Sequence, residues 1–368
     1  MKREMRRQER EITEKEMILD KKCITKDFGK NSKGNKATLY TFQNKNGMTM
    51  TVSDFGATLQ SVLVPDKNNK PRDVVLGYDK AIDYEGPGGT FFGSTVGRSA
   101  NRIGHAQFEL NGKIYHLDQN KGVHNLHSGL DFYSFRVWKV DEIGENTIRF
   151  SLHSPDGDQG YPGELDISVT YTLTDENEIK IDYCGIPKAD TIINVTNHSY
   201  FNLNGHESGN VLEQYLWLDA DAFTGTDEDQ IVNGDVISVE GTPMDFRTKK
   251  KVGQDIGADY LPLVLGNGYD HNWVLNNKGK FAKIGELSSE ESGITLDVYT
   301  DLPGVQIYAG NYIENEIGKD GVIYGPRQGI CFETQYFPNA INIPAFESPV
   351  CKANELYRTT TVFQFKSC

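Results

Sequence analysis

Apolar and polar residues alternate with a period of two along most of the chain after residue 36. The clearest example is "ELDISVTYTL", in which Leu165, Ile167 and Val169 share one face. Such alternation indicates a β-strand with one buried face. Comparable patterns recur in the segments 49–64, 105–118, 137–152, 178–186, 293–299, 305–313 and 359–366. No segment after residue 36 keeps a helical period, so the body of the protein is predicted to be all-β.

The turns between these runs favour one large antiparallel β-sandwich. Asn111-Gly112 interrupts an alternating segment and predicts a tight hairpin, because type I′ turns need positive φ at both central residues. More than a dozen strands with Gly-rich turns give no second domain boundary. We therefore predict a single domain over residues 37–368, preceded by a charged N-terminal extension and linker over residues 1–36. The end of the extension, Asp27–Lys36, is expected to be the linker.

Composition narrows the classes of partner. A formal net charge of -14 and a pI near 5.1 disfavour binding to phosphate backbones or anionic lipid. We expect no nucleic-acid partner and no membrane association, since no run of about 18 apolar residues exists. The first residues lack an apolar run of signal-peptide length, and five cysteines without metal spacing are expected to be reduced. A cytoplasmic location is predicted.

His198 is the first candidate for chemistry. It lies in "NVTNHSYFNLNG", where asparagine, serine and tyrosine side chains surround it. A buried turn whose polar side chains satisfy one another would explain the same pattern. The neighbouring Tyr200 and Phe201 could form the wall of a pocket.

Two more histidines lie in "GVHNLHSG", at His124 and His127. The spacing could suit a metal, but on an extended chain these side chains diverge, and no third ligand follows at a recognisable spacing. A structural pair or a histidine that binds sugar hydroxyls is the preferred interpretation. We predict no metal site.

Glu333 lies among apolar residues in "GICFETQYF". A carboxylate in such surroundings is either paired with a cation or held partly desolvated, which raises its pKa toward the range useful to a general base. The pattern alone leaves both explanations open.

Arginine, asparagine and carboxylate side chains in two other motifs suit a polyhydroxylated ligand. Arg98, Asn101 and Arg102 lie in "GRSANRIG", although either arginine could instead neutralise a structural acid. Asp270 lies near Trp273 in "GYDHNWVL". An aspartate can accept from hydroxyls and a tryptophan can stack on a sugar face, while a turn aspartate before a strand is the alternative.

Together these motifs, with "SPDGDQGYPGEL", "GTPMDFR" and "ETQYFPNAIN", resemble the aldose 1-epimerase (galactose mutarotase) family, in order from about residue 37 to the C-terminus. The resemblance implies a galactose mutarotase-like β-sandwich, no cofactor, and interconversion of the α and β anomers of free hexoses such as galactose and glucose. It also implies a small-molecule aldose as partner. A monomer or homodimer is expected.

Carried onto matching positions, the resemblance makes Glu333 the general base and His198 the general acid, with His127 beside the ring oxygen. It gives Asn101, Arg102, Asp270 and Gln306 the task of holding sugar hydroxyls. A catalytically silent sugar-binding relative and a hexose-phosphate epimerase remain the alternatives. A glycoside hydrolase is less favoured, because it would need two carboxylates flanking the scissile bond.

Overall fold

Antiparallel β-strands dominate the computed structural model, which describes residues 23–86 and 90–367. Residues 1–22, most of the predicted extension, lie outside the described residues. The first ten strands are β1 (Ile24–Lys30), β2 (Lys36–Gln43), β3 (Thr49–Ser53), β4 (Thr58–Pro65), β5 (Pro71–Asp73), β6 (Thr95–Val96), β7 (Arg102–Ile103), β8 (Gln107–Leu110), β9 (Lys113–His116) and β10 (Asn125–Leu126).

The remaining strands include both long and two-residue elements. They are β11 (Lys139–Ile143), β12 (Thr147–Ser154), β13 (Leu165–Leu173), β14 (Glu178–Pro187), β15 (Thr191–Ile192), β16 (Thr196–Asn197), β17 (Tyr200–Phe201), β18 (Tyr215–Leu218), β19 (Ala222–Thr226), β20 (Val232–Ser238), β21 (Lys250–Lys251), β22 (Asp270–Val274), β23 (Ala282–Ser288), β24 (Ile294–Thr300), β25 (Gly304–Tyr308), β26 (Glu316–Ile317), β27 (Ile323–Tyr324), β28 (Ile330–Gln335), β29 (Val350–Cys351) and β30 (Tyr357–Ser367).

Helical structure in the described residues is short. One α-helix, α1, spans Leu261–Gly266. Six 3-10 turns span Ala81–Glu85, Gly104–Ala106, Tyr133–Phe135, Asp158–Gly160, Lys319–Gly321 and Ala340–Asn342. In the part of the chain that the structure describes, no helix has the length and apolar character needed to cross a bilayer.

Three large sheets in the described part of the chain form the sandwich. A five-stranded sheet has the order β1-β2-β3-β4-β5, and a nine-stranded sheet has the order β11-β12-β13-β14-β30-β24-β23-β18-β21. A six-stranded sheet has the order β17-β28-β25-β22-β19-β20. The predicted all-β fold is therefore confirmed, and the hairpin expected at Asn111-Gly112 joins β8 to β9 with positive φ at both residues.

The six-stranded sheet separates the core from a polar face. Trp273, Ile307 and Phe332 point to the core, where they pack with residues of the nine-stranded sheet such as Val298 and Phe363. Because side chains of a strand alternate between faces, the residues next to them in β22, β25 and β28 point the other way. That second face carries the candidate site.

Strand β1 corrects the predicted linker. Residues 24–30 pair with β2 at the edge of the five-stranded sheet, so the boundary expected at residue 36 falls inside a hairpin. The sequence of residues 24–30 shows no clear alternation of apolar and polar residues, because β1 is an edge strand on which only Phe28 is buried. Lys and Asp on an exposed edge look like a linker in sequence, although they commonly protect such edges from pairing with other chains.

Phe28 is expected to contribute strongly to stability. Its ring is 1% exposed and meets Tyr84 edge to face at 5.9 Å. Replacing it with alanine should lower the free energy of unfolding by about 3 to 5 kcal/mol. The matched change Ile24→Ala, on the same strand but 69% exposed, should cost less than about 0.5 kcal/mol. Urea unfolding measures both, and equal small effects would restore the linker interpretation.

Candidate active site

Three neighbouring strands of the six-stranded sheet supply the polar floor of the site. Glu333 on β28 is directly opposite Gln306 on β25, and Asp270 on β22 is directly opposite Tyr308, two residues further along β25. All four side chains are therefore on one face of the sheet. Gln306 Nε2 donates to Asp270 Oδ1 at 2.7 Å, which fixes the aspartate over the sheet.

His198 reaches this floor from the short connection between β16 and β17. Its backbone N–H donates to Ser94 O, and its carbonyl accepts from Gly93 N. Asn197 also fixes this connection, because its Nδ2 donates to Gly93 O at 2.8 Å and its Oδ1 accepts from Ser199 N. The asparagine and serine residues of this motif thus hold the backbone that carries the imidazole.

His127 is placed by a reciprocal pair of bonds with Asn101. The backbone N–H of His127 donates to Asn101 O at 3.0 Å, and the backbone N–H of Asn101 donates to His127 Nδ1 at 3.2 Å. Both residues have positive φ, of 53° and 61°. A neutral imidazole that accepts at Nδ1 carries its proton on Nε2, so His127 is a hydrogen-bond donor at that atom.

Arg102 is held between two acceptors. Its Nη2 donates to Gln230 Oε1 at 2.8 Å and to Asp270 Oδ2 at 3.3 Å. Gln230 is itself fixed because its Nε2 donates to Leu265 O at 2.7 Å. Although burial alone would raise the pKa of Asp270, the Arg102 guanidinium and the bond from Gln306 hold that pKa below its usual value. The aspartate is therefore ionised at neutral pH.

These side chains surround a cavity of about 390 Å³. Six of the seven predicted site residues line it, namely Asn101, Arg102, His127, His198, Asp270 and Glu333. Gln306 lies behind Asp270 instead of on the wall. Aromatic rings of Phe91, Tyr200, Tyr308 and Tyr312 also line the cavity. Polar groups converging in an otherwise aromatic cleft are typical of a small-molecule site.

Glu333 and His198 form the reactive pair of the cavity. Glu333 Oε1 is 3.5 Å from His198 Nε2, and the side chains are 3% and 6% exposed. Burial, reinforced by Asp270, raises the pKa of Glu333 well above its usual value. Burial lowers the pKa of His198 to about 4. Because burial favours the neutral form of each group, it favours a pair in which the one shared proton lies on Glu333.

The other imidazole nitrogen of His198 faces a thiol. Cys331 Sγ is 3.6 Å from His198 Nδ1. Burial, then the charges of Glu333 and Asp270, raises the pKa of Cys331 well above its usual value, so the sulfur keeps its proton. An S–H that donates to Nδ1 leaves the proton of neutral His198 on Nε2, the atom that faces Glu333.

The same pair with His127 has the composition of a metal site. One ligand atom each from His127, His198 and Glu333 lies within 4.8 Å of the others. A metal-binding imidazole needs a bare nitrogen toward the ion and donates its other N–H outward. His127 is arranged the opposite way, because its Nδ1 accepts from Asn101. This cluster therefore suits hydrogen-bond donation better than metal ligation.

Several residues of the sequence motifs lie elsewhere. Arg98 is buried and donates to the carbonyl oxygens of Pro162 and Gly163, so its role is structural. Trp273 is wrong as a sugar platform: it occupies the opposite face of β22 from Asp270 and is fully buried in the core. On β17, Phe201 points to the core, whereas its neighbour Tyr200 lines the cavity.

His124 is not a partner of His127 in metal binding. Its Nδ1 accepts from the backbone N–H of His105, and its Nε2 is 3.5 Å from Asp229. The two side chains diverge, as the sequence predicted.

Sequence reasoning missed Gln230 and most of the aromatic wall. Gln230 belongs to the acidic segment "TGTDEDQIVNGD", which reads as a solvated surface turn. In the folded chain this segment reaches the mouth of the cavity. No local pattern points to that contact, because Gln230 and Arg102 are 128 positions apart.

Gln230 is expected to affect ligand binding through Arg102. Replacing it with methionine removes the acceptor but keeps the side-chain length, so Arg102 loses one of its two anchors. We expect KM for the aldose that the sequence resemblance implies to rise about three- to tenfold with kcat changed less than twofold, the pattern of a lost binding contact. Initial rates measure both constants. The exposed Gln43→Met is the matched control, and an unchanged KM would contradict this role for Gln230.

Comparison with known proteins adds an independent finding. The family model described as aldose 1-epimerase matches residues 38–364. The chain is 41% identical over 332 residues to an aldose 1-epimerase of Haemophilus influenzae, with 89% of this chain and 95% of that protein covered. It is 37% identical to the human galactose mutarotase, covering 86% of this chain and 91% of that protein.

Solved structures give the same result. A crystal structure of an aldose epimerase homologue from Caenorhabditis elegans superposes with a TM-score of 0.82 at 31% identity, over 90% of this chain and 99% of that one. A galactose 1-epimerase from Lactobacillus acidophilus superposes with a TM-score of 0.81 at 27% identity, covering 94% and 99%. The similarity extends over nearly all of the described chain.

Proposed function

The chain belongs to the aldose 1-epimerase family, and we infer from this premise that it interconverts the α and β anomers of free hexoses such as galactose and glucose. The observation that carries the inference is the buried pair Glu333 and His198, with Glu333 Oε1 3.5 Å from His198 Nε2. A carboxylate and an imidazole at that separation can move two protons on one bound ring.

The reaction needs one base and one acid. Glu333 takes the proton of the C1 hydroxyl while His198 gives a proton to the ring oxygen, so the bond between C1 and the ring oxygen breaks and C1 becomes an aldehyde. Rotation about the C1–C2 bond presents the other carbonyl face. Reversal of both transfers then closes the ring as the opposite anomer, with the proton count of the pair restored.

One shared proton suits this cycle. The working form, Glu333 carboxylate with His198 imidazolium, differs from the neutral pair only by transfer of a proton between the two residues. The negative charge of Asp270 raises the pKa of His198, which favours the imidazolium, and the positive charge of Arg102 lowers the pKa of Glu333, which offsets part of the opposing effect of Asp270 on that carboxylate. His127 supports the acid as a neutral donor toward the ring oxygen, since burial and the neighbouring charges of His198 and Arg102 lower its pKa well below the usual value.

The remaining residues hold hydroxyl groups. Arg102 can donate and Asp270 can accept, and both stay in place through the bonds to Gln230 and Gln306. Asn101 lines the same wall. Fixed donors and acceptors of this kind orient the ring before proton transfer, which lowers the entropic part of the barrier.

The charge around the cavity favours neutral sugars over phosphorylated ones. Arg102 is already paired with Asp270. At the mouth of the cavity, Glu228 and Asp229 outnumber Lys121. A phosphate would meet net negative charge there, so free hexoses are the better substrates.

Polarimetry tests the proposed function. Freshly dissolved α-galactose and α-glucose should reach their equilibrium rotation faster with the protein than in buffer alone, whereas the 6-phosphates should gain little. Methyl α-galactoside should release no methanol. Failure to accelerate either free sugar would favour a silent sugar-binding protein, and cleavage of the methyl glycoside would favour a hydrolase.

Two further features are proposed on the sequence alone. A cytoplasmic location and a monomeric or homodimeric state remain predictions. Neither affects the chemistry of the cavity.

A further inference from the structure

A second polar layer lies in the same sheet beside the reactive pair. Asn272, Gln306 and Glu333 occupy one row across three strands, because Asn272 is opposite Gln306 and Gln306 is opposite Glu333. Gln335 is two residues beyond Glu333 and so points to the same face, opposite Gly304. Asn272 and Gln335 are 1% and 0% exposed. Neither lines the cavity.

These side chains carry six buried polar atoms without a hydrogen-bond partner among the described residues. They are Nδ2 and Oδ1 of Asn272, Nε2 and Oε1 of Gln335, Oε1 of Gln306 and Oε2 of Glu333. Buried amides and carboxylates are nearly always satisfied by protein or by ordered water. A concentration of unpaired atoms in one patch of sheet therefore calls for a common partner.

Gly304 lets Asn272 and Phe337 approach the backbone of β25 closely. A Cβ atom at this position would lie 2.6 Å from Asn272 Oδ1 and 2.8 Å from the ring of Phe337. Asn272 thus aims its carbonyl toward Gly304, while Gln335 flanks Gly304 from the other strand. The glycine therefore lets the Asn272 amide lie over β25 beside Gln335, and buried polar groups gathered in this way are commonly joined by water that makes two to four hydrogen bonds.

We propose that Asn272 and Gln335 are positioning residues for Glu333, joined through buried water molecules to Glu333 Oε2 and Gln306 Oε1. The amide groups of Asn272 and Gln335 supply four N–H donors, and the Glu333 carboxylate and the three side-chain carbonyls are acceptors. Water carries these bonds across distances too long for direct contact. The layer holds the carboxylate in one orientation and stabilises its ionised form.

This role rests on the proposed function and gives the amides a task in it. Catalysis needs Glu333 to be ionised while His198 holds the shared proton, and burial opposes that form. Hydrogen-bond donors to Glu333 Oε2, the oxygen that is not paired with His198, stabilise the carboxylate and offset part of this effect of burial. The charged and titratable groups that already face Glu333 are His198, His127, Asp270, Arg102, Cys331 and Tyr200. The two amides add neutral donors that no pH change removes.

Asn272→Leu and Gln335→Met test the role, because both changes nearly keep the side-chain volume and remove the polar groups. Each should lower kcat about five- to fiftyfold, the effect of a lost bond to a charged group, with KM for galactose changed less than about twofold. The alkaline limb of the kcat profile should move to higher pH, because Glu333 holds its proton more tightly. Thr334→Val, on the opposite face of β28, should leave the profile where it is.

The change in melting temperature of the two variants distinguishes amides that are bridged by water from amides that have no hydrogen-bond partner. Removing an unsatisfied buried amide should stabilise the fold, whereas removing a bridged one should destabilise it. We expect both variants to melt at lower temperature than the wild type. This readout does not depend on activity, so it remains informative even if the proposed function fails.

Gly304→Ala tests the position of the Asn272 amide without removing any polar group. Its Cβ would lie 2.6 Å from Asn272 Oδ1, so it should push that amide out of position and produce the same fall in kcat and the same shift of the alkaline limb. If Asn272→Leu and Gln335→Met kept the wild-type profile, or melted at higher temperature, the proposal would be overturned. A loss of kcat with no shift in the pH profile would also contradict it, since that is the outcome of general structural damage.

Discussion

Replacing Glu333 with glutamine is expected to lower kcat for anomer interconversion by about 10²- to 10⁴-fold, the usual contribution of a positioned base. Glutamine keeps the size and hydrogen bonding of the side chain, but it cannot accept the proton of the C1 hydroxyl. The neighbouring Gln306 and His198 keep their own supports, so the cavity should retain its shape. Polarimetry at saturating α-galactose measures kcat directly.

The control for this change is a carboxylate outside the cavity. Glu286 on the nine-stranded sheet bonds to Lys249 and Lys283, and Glu286→Gln should keep wild-type kcat. Galactose binding to the Glu333→Gln protein, measured by calorimetry, should change less than about threefold, because the lost group acts in the transition state. A folded variant that kept more than about a tenth of wild-type kcat would remove Glu333 as the base.

His198→Asn is expected to lower kcat by a comparable factor of about 10² to 10⁴. Asparagine can still donate a hydrogen bond toward the ring oxygen, but it cannot give up a proton. Residue 198 is held by hydrogen bonds of its backbone and of the Asn197 side chain, so the change should leave the connection between β16 and β17 intact.

A buried histidine outside the cavity is the matched control. His206 is 5% exposed and bonds through Nδ1 to the Tyr324 hydroxyl, so His206→Asn tests the structural cost of losing a buried imidazole. We expect it to lower the melting temperature while the folded protein keeps its kcat. If His198→Asn behaved in the same way, the proton donor would have to be sought elsewhere, with His127 the first candidate.

The double variant adds a further check. Residues that act as one unit have non-additive effects, so Glu333→Gln with His198→Asn should be little worse than the slower single variant. Multiplying effects would mean that the two side chains act in separate steps.

The period-two pattern predicted the all-β fold and the local side-chain directions that matter most. Glu333 and Gln306 share a face because their strands pair in register, and alternation within each strand then separates Asp270 from Trp273. Which face of a strand meets the cavity depends on sheet packing, which no single strand encodes. The sequence therefore allows Trp273 to be a platform for a sugar ring, whereas the structure places it in the core.

Contacts between distant loops explain what the sequence could not provide. Gln230 supports Arg102 from an acidic segment that has no local mark of a binding site. Strand β1 is not recognisable in the sequence, because this edge strand buries only one side chain, Phe28. The roles of Glu333 and His198 came from resemblance to a family, while the structure adds their separation, their burial and the partners that orient them.

The central claim, ring opening by one acid and one base, is tested most directly by following an oxygen label. The protein would convert α-galactose carrying ¹⁸O at the C1 hydroxyl in unlabelled water, and mass spectrometry would measure the label over several turnovers. Breaking the bond between C1 and the ring oxygen leaves the C1 oxygen in place, so the label should persist as in the uncatalysed reaction. Loss of the label with each inversion would mean that the C1–O1 bond breaks instead, and it would contradict the proposed roles of Glu333 and His198.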